Sequence, residues 1–243
     1  MLKNKFIKMG FGAVLFGSLI FAGVEDELKR INDKLDGISK RIGALEKKVA
    51  AAPAPSKNNN KKQADPNAVY NVPVGDSVVL GNPEADITII KWTDFQWPYC
   101  AKSVSLIDDI LAKYPNDVKV VIKNFPLSFH KQAKKAAKYA FAAHKQGKYK
   151  EMYHKIMENY RDLKTNEDLP MTYAREFGLN MSQFVKDFES PEVATQNEKE
   201  INELRNSGIP RLSVPKFLIQ GKEPQGRSVE AFSSAIDAIL KKG

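Results

Sequence analysis

Trp92-Thr-Asp-Phe-Gln-Trp-Pro-Tyr-Cys100 is the stretch that decides how the rest of this chain is read. It follows an apolar run, Ile87 to Ile90, and precedes a helical pattern in which Cys100, Val104, Ile107 and Leu111 share one face. The order is strand, tight turn, helix. At such a junction a Cys-x-x-Cys pair would set one thiol at the helix N-terminus, where backbone N–H groups and the helix dipole stabilise a thiolate, and the second thiol one turn further in. Here the first position is Trp97, so the setting of a dithiol site carries half of its chemistry.

Cys100 is the single cysteine among 243 residues, which excludes an intramolecular disulfide and a multi-cysteine zinc site. His130, His144 and His154 are too few and too scattered for a metal centre, and no cofactor is expected. Cys100 fits two roles: a buried small hydrophobe whose thiolate is poorly solvated, or a monothiol forming a mixed disulfide with glutathione or a client. Trp97 either fills the cavity that a cysteine pair would leave or stands out as an aromatic anchor for apolar client segments. Asp94 and Lys123 would tune Cys100 if they lie beneath it. His130 is expected to start a helix after Phe129, with His144 and His154 structural.

Outward from this stretch, residues 86–92, 118–122 and 214–219 are rich in β-branched residues and of strand length. Between the last two, Ala133, Ala136, Ala137, Ala140, Phe141 and His144 form one helical stripe, and Tyr149, Met152, Tyr153, Ile156, Met157 and Tyr160 the next; both are expected to face the core. Further helices are expected at 166–177, 180–189, 192–206 and 228–241, with Ser190-Pro191 as a start signal. The order of strand, helix, strand, several helices, strand, short strand and helix gives an α/β domain with a helical insertion, spanning residues 69–243.

The chain before this domain has a different composition. Lys3, Lys5 and Lys8 precede an apolar run from Met9 to Val24, the order of an export signal. Sixteen helical residues span about 24 Å, short of a hydrocarbon core of about 30 Å, though Phe6 and Ile7 nearly close the gap. No small-residue cleavage pattern surrounds Ala22 or Gly23. Residues 1–23 are thus a signal peptide or a membrane anchor, with an uncleaved tether at 6–24 favoured and the domain sent across the inner membrane to the periplasmic or other extracytoplasmic side. From Val24 to Val49 apolar residues recur at spacings of four and three, with Leu28, Leu35, Ile42 and Val49 at one core position and Val24, Ile31, Ile38 and Leu45 at the other. That heptad seam predicts a coiled-coil stalk over 24–49 and self-association, with dimer, trimer and tetramer all open. Residues 50–68, with Ala-Pro-Ala-Pro and a run of Asn and Lys, form a linker. Residues 1–68 hold 13 Lys+Arg against 7 Asp+Glu, leaving 25 against 22 for the rest, so the basic excess sits mostly outside the folded domain and no nucleic-acid partner is expected.

Four landmarks in order, Val79-Leu-Gly-Asn-Pro83, Asp94-Phe-Gln-Trp-Pro-Tyr-Cys100, Lys123-Asn-Phe-Pro-Leu-Ser-Phe-His130 and Val214-Pro215-Lys-Phe217, resemble the DsbA-like branch of the thioredoxin superfamily, exported thiol–disulfide oxidoreductases. The resemblance covers about residues 70–243. It implies a thioredoxin-like α/β fold with an inserted helical domain, and clients that are exported polypeptides or a thiol-redox partner. Trp97 takes the place of the attacking cysteine, Pro98 and Tyr99 that of the intervening dipeptide, and Cys100 that of the resolving cysteine. Val214-Pro215 resembles the cis-proline loop that holds an extended substrate backbone. Two departures stand out. An indole cannot form a mixed disulfide, so ordinary dithiol exchange is excluded, and the approach from Gly208 to Pro215 is about two residues longer than the family pattern. What remains is a protein of that class with at most a monothiol, a redox-inactive polypeptide-binding module on the same surface, or a scaffold.

Overall fold

The computed structural model describes residues 13–51, 65 and 67–241, with the side chains of the first helix described from 25 to 44. The lysines of the expected export signal and most of the expected linker lie outside the described residues. The described residues fall into two units. The first holds α1 (Ala13–Ala51), 39 residues long. Among the described residues no helix is long and apolar enough to cross a membrane.

The second unit is built on a four-stranded sheet of order β1-β3-β2-β4, from β1 (Val78–Gly81), β2 (Ile87–Thr93), β3 (Val118–Asn124) and β4 (Lys216–Ile219). β2 and β3 run parallel, joined by the crossover helix α2 (Pro98–Lys113). β1 pairs antiparallel with β3, and β4 antiparallel with β2. The two central strands are buried almost throughout because helices cover both faces. Since side chains alternate along a strand, Lys91 and Trp92 leave β2 on opposite faces. The Lys91 face meets α2 and α4 (Tyr149–Glu158), and the Trp92 face meets α7 (Pro191–Asn206), whose Glu200 carbonyl accepts from the indole at 3.2 Å. α8 (Val229–Leu240) closes the Lys91 side through Phe232, edge-on to Phe217 at 5.1 Å. It is tied to the end of α2 by the Tyr114 hydroxyl, which donates to Asp237 at 2.7 Å.

The insertion between β3 and β4 contains α3 (Ala133–His144), α4, a 3-10 turn at Asp162–Lys164, α5 (Leu169–Glu176), α6 (Met181–Glu189) and α7. The alanine-rich stripe of α3 is buried as expected, which lets its neighbours approach closely. Ser190 caps α7, its hydroxyl accepting from the Val193 N–H, with Pro191 at the first helical position.

Several details differ from the sequence expectations. β1, marked in sequence only by the Val79–Pro83 landmark, is a strand of the sheet, whereas the short strand expected after β4 is reduced to one bridge between Ile219 and Lys222. The buried face of α2 is Cys100, Ser103, Leu106, Ile107 and Ile110; Val104 and Leu111 flank it. α3 begins at Ala133, so His130 precedes it in a turn, and His144 at its far end is exposed.

Candidate functional site: the turn at Trp97 and the thiol beneath it

Local hydrogen bonding explains the shape of the turn after β2. Asp94 is buried, and its Oδ1 accepts from the Gln96 N–H at 2.7 Å, closing an Asx turn that reverses the strand. The Trp97 N–H donates to the Asp94 carbonyl at 3.2 Å. Trp97 is then the N-cap of α2 and Pro98 its first residue, where the missing N–H costs nothing. The indole offers no acceptor, so the helix start has no side-chain cap. The second Asp94 oxygen accepts from the Leu127 N–H at 2.7 Å and lies 3.0 Å from His130 Nδ1. Gln96 and Gln132 bond one another twice, at 2.9 and 2.8 Å. The turn is thereby clamped to the loop that follows β3.

Above this clamp the aromatic rings gather. Trp97, half-buried, lies 5.3 Å from Tyr99, 6.2 Å from Phe129 and 5.6 Å from His130, centroid to centroid. Tyr99 and Phe129, each packed against Trp97, are still 57% and 65% exposed. Cys100, one turn into α2, is wholly buried. Its Sγ accepts from the Asp94 N–H at 3.3 Å. Burial pushes the thiol up to about 11, with that N–H, the Thr93 hydroxyl and nearby Lys91 opposing the shift. Cys100 is the inward member of the Trp97–Cys100 turn and does not reach the surface on which the aromatic rings stand.

Beneath the thiol lies a residue the sequence reading passed over. Lys91 is fully buried, donating to the Tyr153 hydroxyl at 2.7 Å and the Ser103 carbonyl at 3.3 Å, with Nζ 5.4 and 5.8 Å from the ring centres of Tyr153 and Phe217. Desolvation brings its pKa down to about 7, against smaller opposing influences from Cys100 and Asp108. The signal was available, since one lysine interrupts the apolar strand Ile87–Trp92. Of the two residues expected to tune Cys100, Asp94 does contact it, through its backbone. Lys123 does not: it points to the other face of the sheet, where it meets Glu203 at 2.6 Å, Ser77 Oγ at 2.9 Å and the Val74 carbonyl at 3.2 Å.

The Val214–Pro215 peptide is cis, as the resemblance implied. The antiparallel register sets Lys216 opposite Trp92, so the proline loop runs in beside the C-terminal end of β2, where the Asp94–Trp97 turn begins. Val214 and Pro215 are themselves buried; the residue that emerges next to them is Leu212, 44% exposed. The structure thus brings Trp97, Pro98, Tyr99, Cys100, Val214 and Pro215 to one end of the sheet and adds Phe129 and His130, which the sequence reading had left out of the site. Among the described residues no cluster of His, Cys, Asp and Glu is arranged to hold a metal ion.

Comparison with known proteins agrees with this architecture. Residues 74–238 match the family model described as Thioredoxin. The chain is 27% identical to a thioredoxin-like oxidoreductase from Silicibacter pomeroyi, which covers 68% of this chain and 92% of that one with a TM-score of 0.58. Oxidised BdbD from Bacillus subtilis, 20% identical, covers 72% and 98% with a TM-score of 0.61, and shares the fold. Among curated proteins, a Na(+)/H(+) antiporter NhaA of Herminiimonas arsenicoxydans is 28% identical over 168 residues, which are 68% of this chain and 26% of the antiporter. The chain therefore spans about a quarter of the length of such relatives. Family match, sheet order, cis-proline loop and helical insertion together make this chain a member of the thioredoxin family, with Trp97 at the start of its crossover helix.

Proposed function

We propose that this protein is an exported, DsbA-like folding factor that holds extended, apolar polypeptide segments at the face of Trp97, Tyr99, Phe129 and the Val214–Pro215 loop, without dithiol exchange. One contrast carries this reading: the only thiol is sealed and pushed up to about 11, while directly above it two aromatic rings stand more than half exposed. A clamped turn offers these rings on a rigid base, so little ordering is lost when a client side chain packs on them. Export is supported by the order of Lys3, Lys5 and Lys8 before the Met9–Val24 run, and the same run supports a tether to the inner membrane.

The test is binding of a reduced, carboxymethylated and fluorescently labelled polypeptide, followed by anisotropy. Trp97→Ala with Phe129→Ala is expected to weaken binding at least tenfold, and Cys100→Ser to leave it within twofold. Loss of binding in Cys100→Ser with the aromatic variant unaffected would overturn the proposal. One observation favours a second role. The Asp94 N–H aimed at Sγ is the kind of donor that steadies a thiolate, so an opening of the turn would expose a usable monothiol. Incubation with oxidised glutathione under native conditions and intact-mass analysis reads this directly, as one glutathione adduct or none.

A further inference from the structure

We propose that α1 associates with the same helix of a second copy of this chain, parallel and in register, through the stripe Leu28, Ile31, Leu35, Ile38 and Ile42. These five side chains are 54%, 46%, 56%, 52% and 50% exposed, so the stripe is left bare along its whole described length. Its width identifies the occupant. The flanking positions are Glu27, Lys34 and Arg41 on one side and Asn32 and Ser39 on the other, all hydrophilic. The apolar face is therefore only two heptad positions wide, the seam of a coiled coil; a helix lying on a globular core carries a broader face. The glycines that would weaken the helix, Gly37 and Gly43, have open space around them and fall on the outer side, so no core position is lost.

Flanking charge favours the parallel orientation, the one free of like-charge pairs. In a parallel, in-register pair each flanking residue faces the one five positions on in the other chain. Glu27 then faces Asn32, Lys34 faces Ser39, and Arg41 faces the position of Glu46, so one pairing is attractive and none joins like charges. An antiparallel pair, in contrast, faces the Glu27, Lys34 and Arg41 flank with the same flank of the other chain, so Lys34 meets a like charge, Lys34 or Arg41, in either register. The association stands independently of the client-binding proposal, since no residue is shared.

The experiment is sedimentation equilibrium of the full chain in a density-matched non-ionic detergent. The expected mass is an integer multiple of 27.2 kDa. Leu35→Asp with Ile38→Asp is expected to return it to a single chain, and Lys40→Ala, on the outer side, to leave the multiple intact. A single-chain mass for the unaltered protein overturns the proposal, as does a multiple that survives the double aspartate variant. Orientation is read separately with Leu35→Cys. Parallel in-register helices bring residue 35 beside itself and give an inter-chain disulfide on mild oxidation, whereas full antiparallel overlap sets residue 35 against residue 38. A multiple-chain mass without that cross-link overturns the parallel arrangement.

Discussion

Lys91 on β2 and Lys123 on β3 are both sealed from solvent on neighbouring central strands, yet the protein treats them in opposite ways. Lys123 has a carboxylate at 2.6 Å, a hydroxyl and a carbonyl around its ammonium, beside the buried Glu200, which accepts from Ser77, Gln196 and both the backbone and side-chain nitrogens of Asn124. Burial still raises the Glu200 carboxyl, those hydrogen bonds opposing the rise. Lys91 has a phenol, a carbonyl and two ring faces, with no carboxylate bonded to it. The paired lysine belongs to a cluster that fastens α7 to the sheet. The unpaired lysine lies under the thiol, where it releases its proton near pH 7. One face of the sheet is built for fixity, and the other holds a titratable interior beneath the Trp97–Cys100 turn.

Breaking the paired side should produce the largest effect. Glu203→Ala leaves the Lys123 ammonium buried without its carboxylate and is expected to cost about 3 kcal/mol in urea unfolding. A loss under about 0.5 kcal/mol, the level of an ordinary surface change, would mean that Ser77 and Val74 suffice and that the contrast between the two lysines is false.

Altering the unpaired side should act with the opposite sign. Lys91→Met removes a buried amine with no carboxylate to lose and is expected to stabilise the protein by about 2 kcal/mol at pH 6. The direction with pH follows from linkage. The folded pKa, about 7, lies below the ordinary value of 10.5. Between these values the unfolded chain binds the proton that the folded chain releases. Stability from neutral Lys91 is therefore fully present above pH 10.5, falls as pH drops through that window and is level below 7. At about 1.4 kcal/mol per pH unit, the advantage of Lys91→Met should fall above pH 7, vanish by about pH 8.5 and reverse by pH 10, as read from urea midpoints across that range. A constant advantage, or destabilisation at pH 6, would show that Lys91 is paired after all.

Much of this architecture is legible in the residues. Apolar runs and 3.6-residue stripes mark the central strands and the insertion helices because burial itself imposes those periods, and the Asp94–Cys100 and Val214–Pro215 landmarks mark the two loops that meet at the site. The misses have physical causes. β1 is four residues long and becomes a strand only by pairing with β3, a long-range contact that local pattern does not carry. Cys100 heads a buried face that steps through Ser103 and Ile110, because a polar serine can be buried when its hydroxyl bonds the Cys100 carbonyl at 2.7 Å. Phe129 and His130 join the site because the Asp94 carboxylate and the Gln96–Gln132 pair pull their loop over the turn, and those bonds join residues more than thirty positions apart. Lys91 went unread because a lysine in a strand suggests a solvent-facing position, and only the helices covering both faces remove that option.

The proposed function requires a Trp97–Cys100 turn that offers a client face and no reactive thiol. Because Cys100 is the only thiol, its reaction with a small aromatic disulfide at pH 8 reports on it alone. A thiol pushed up to about 11 is about a hundredfold less ionised at that pH than an ordinary one, and burial slows the reaction further. The account predicts that the folded protein reacts at least 100-fold more slowly than the same chain unfolded in guanidinium. Equal rates in the two states would contradict it and make Cys100 an active monothiol.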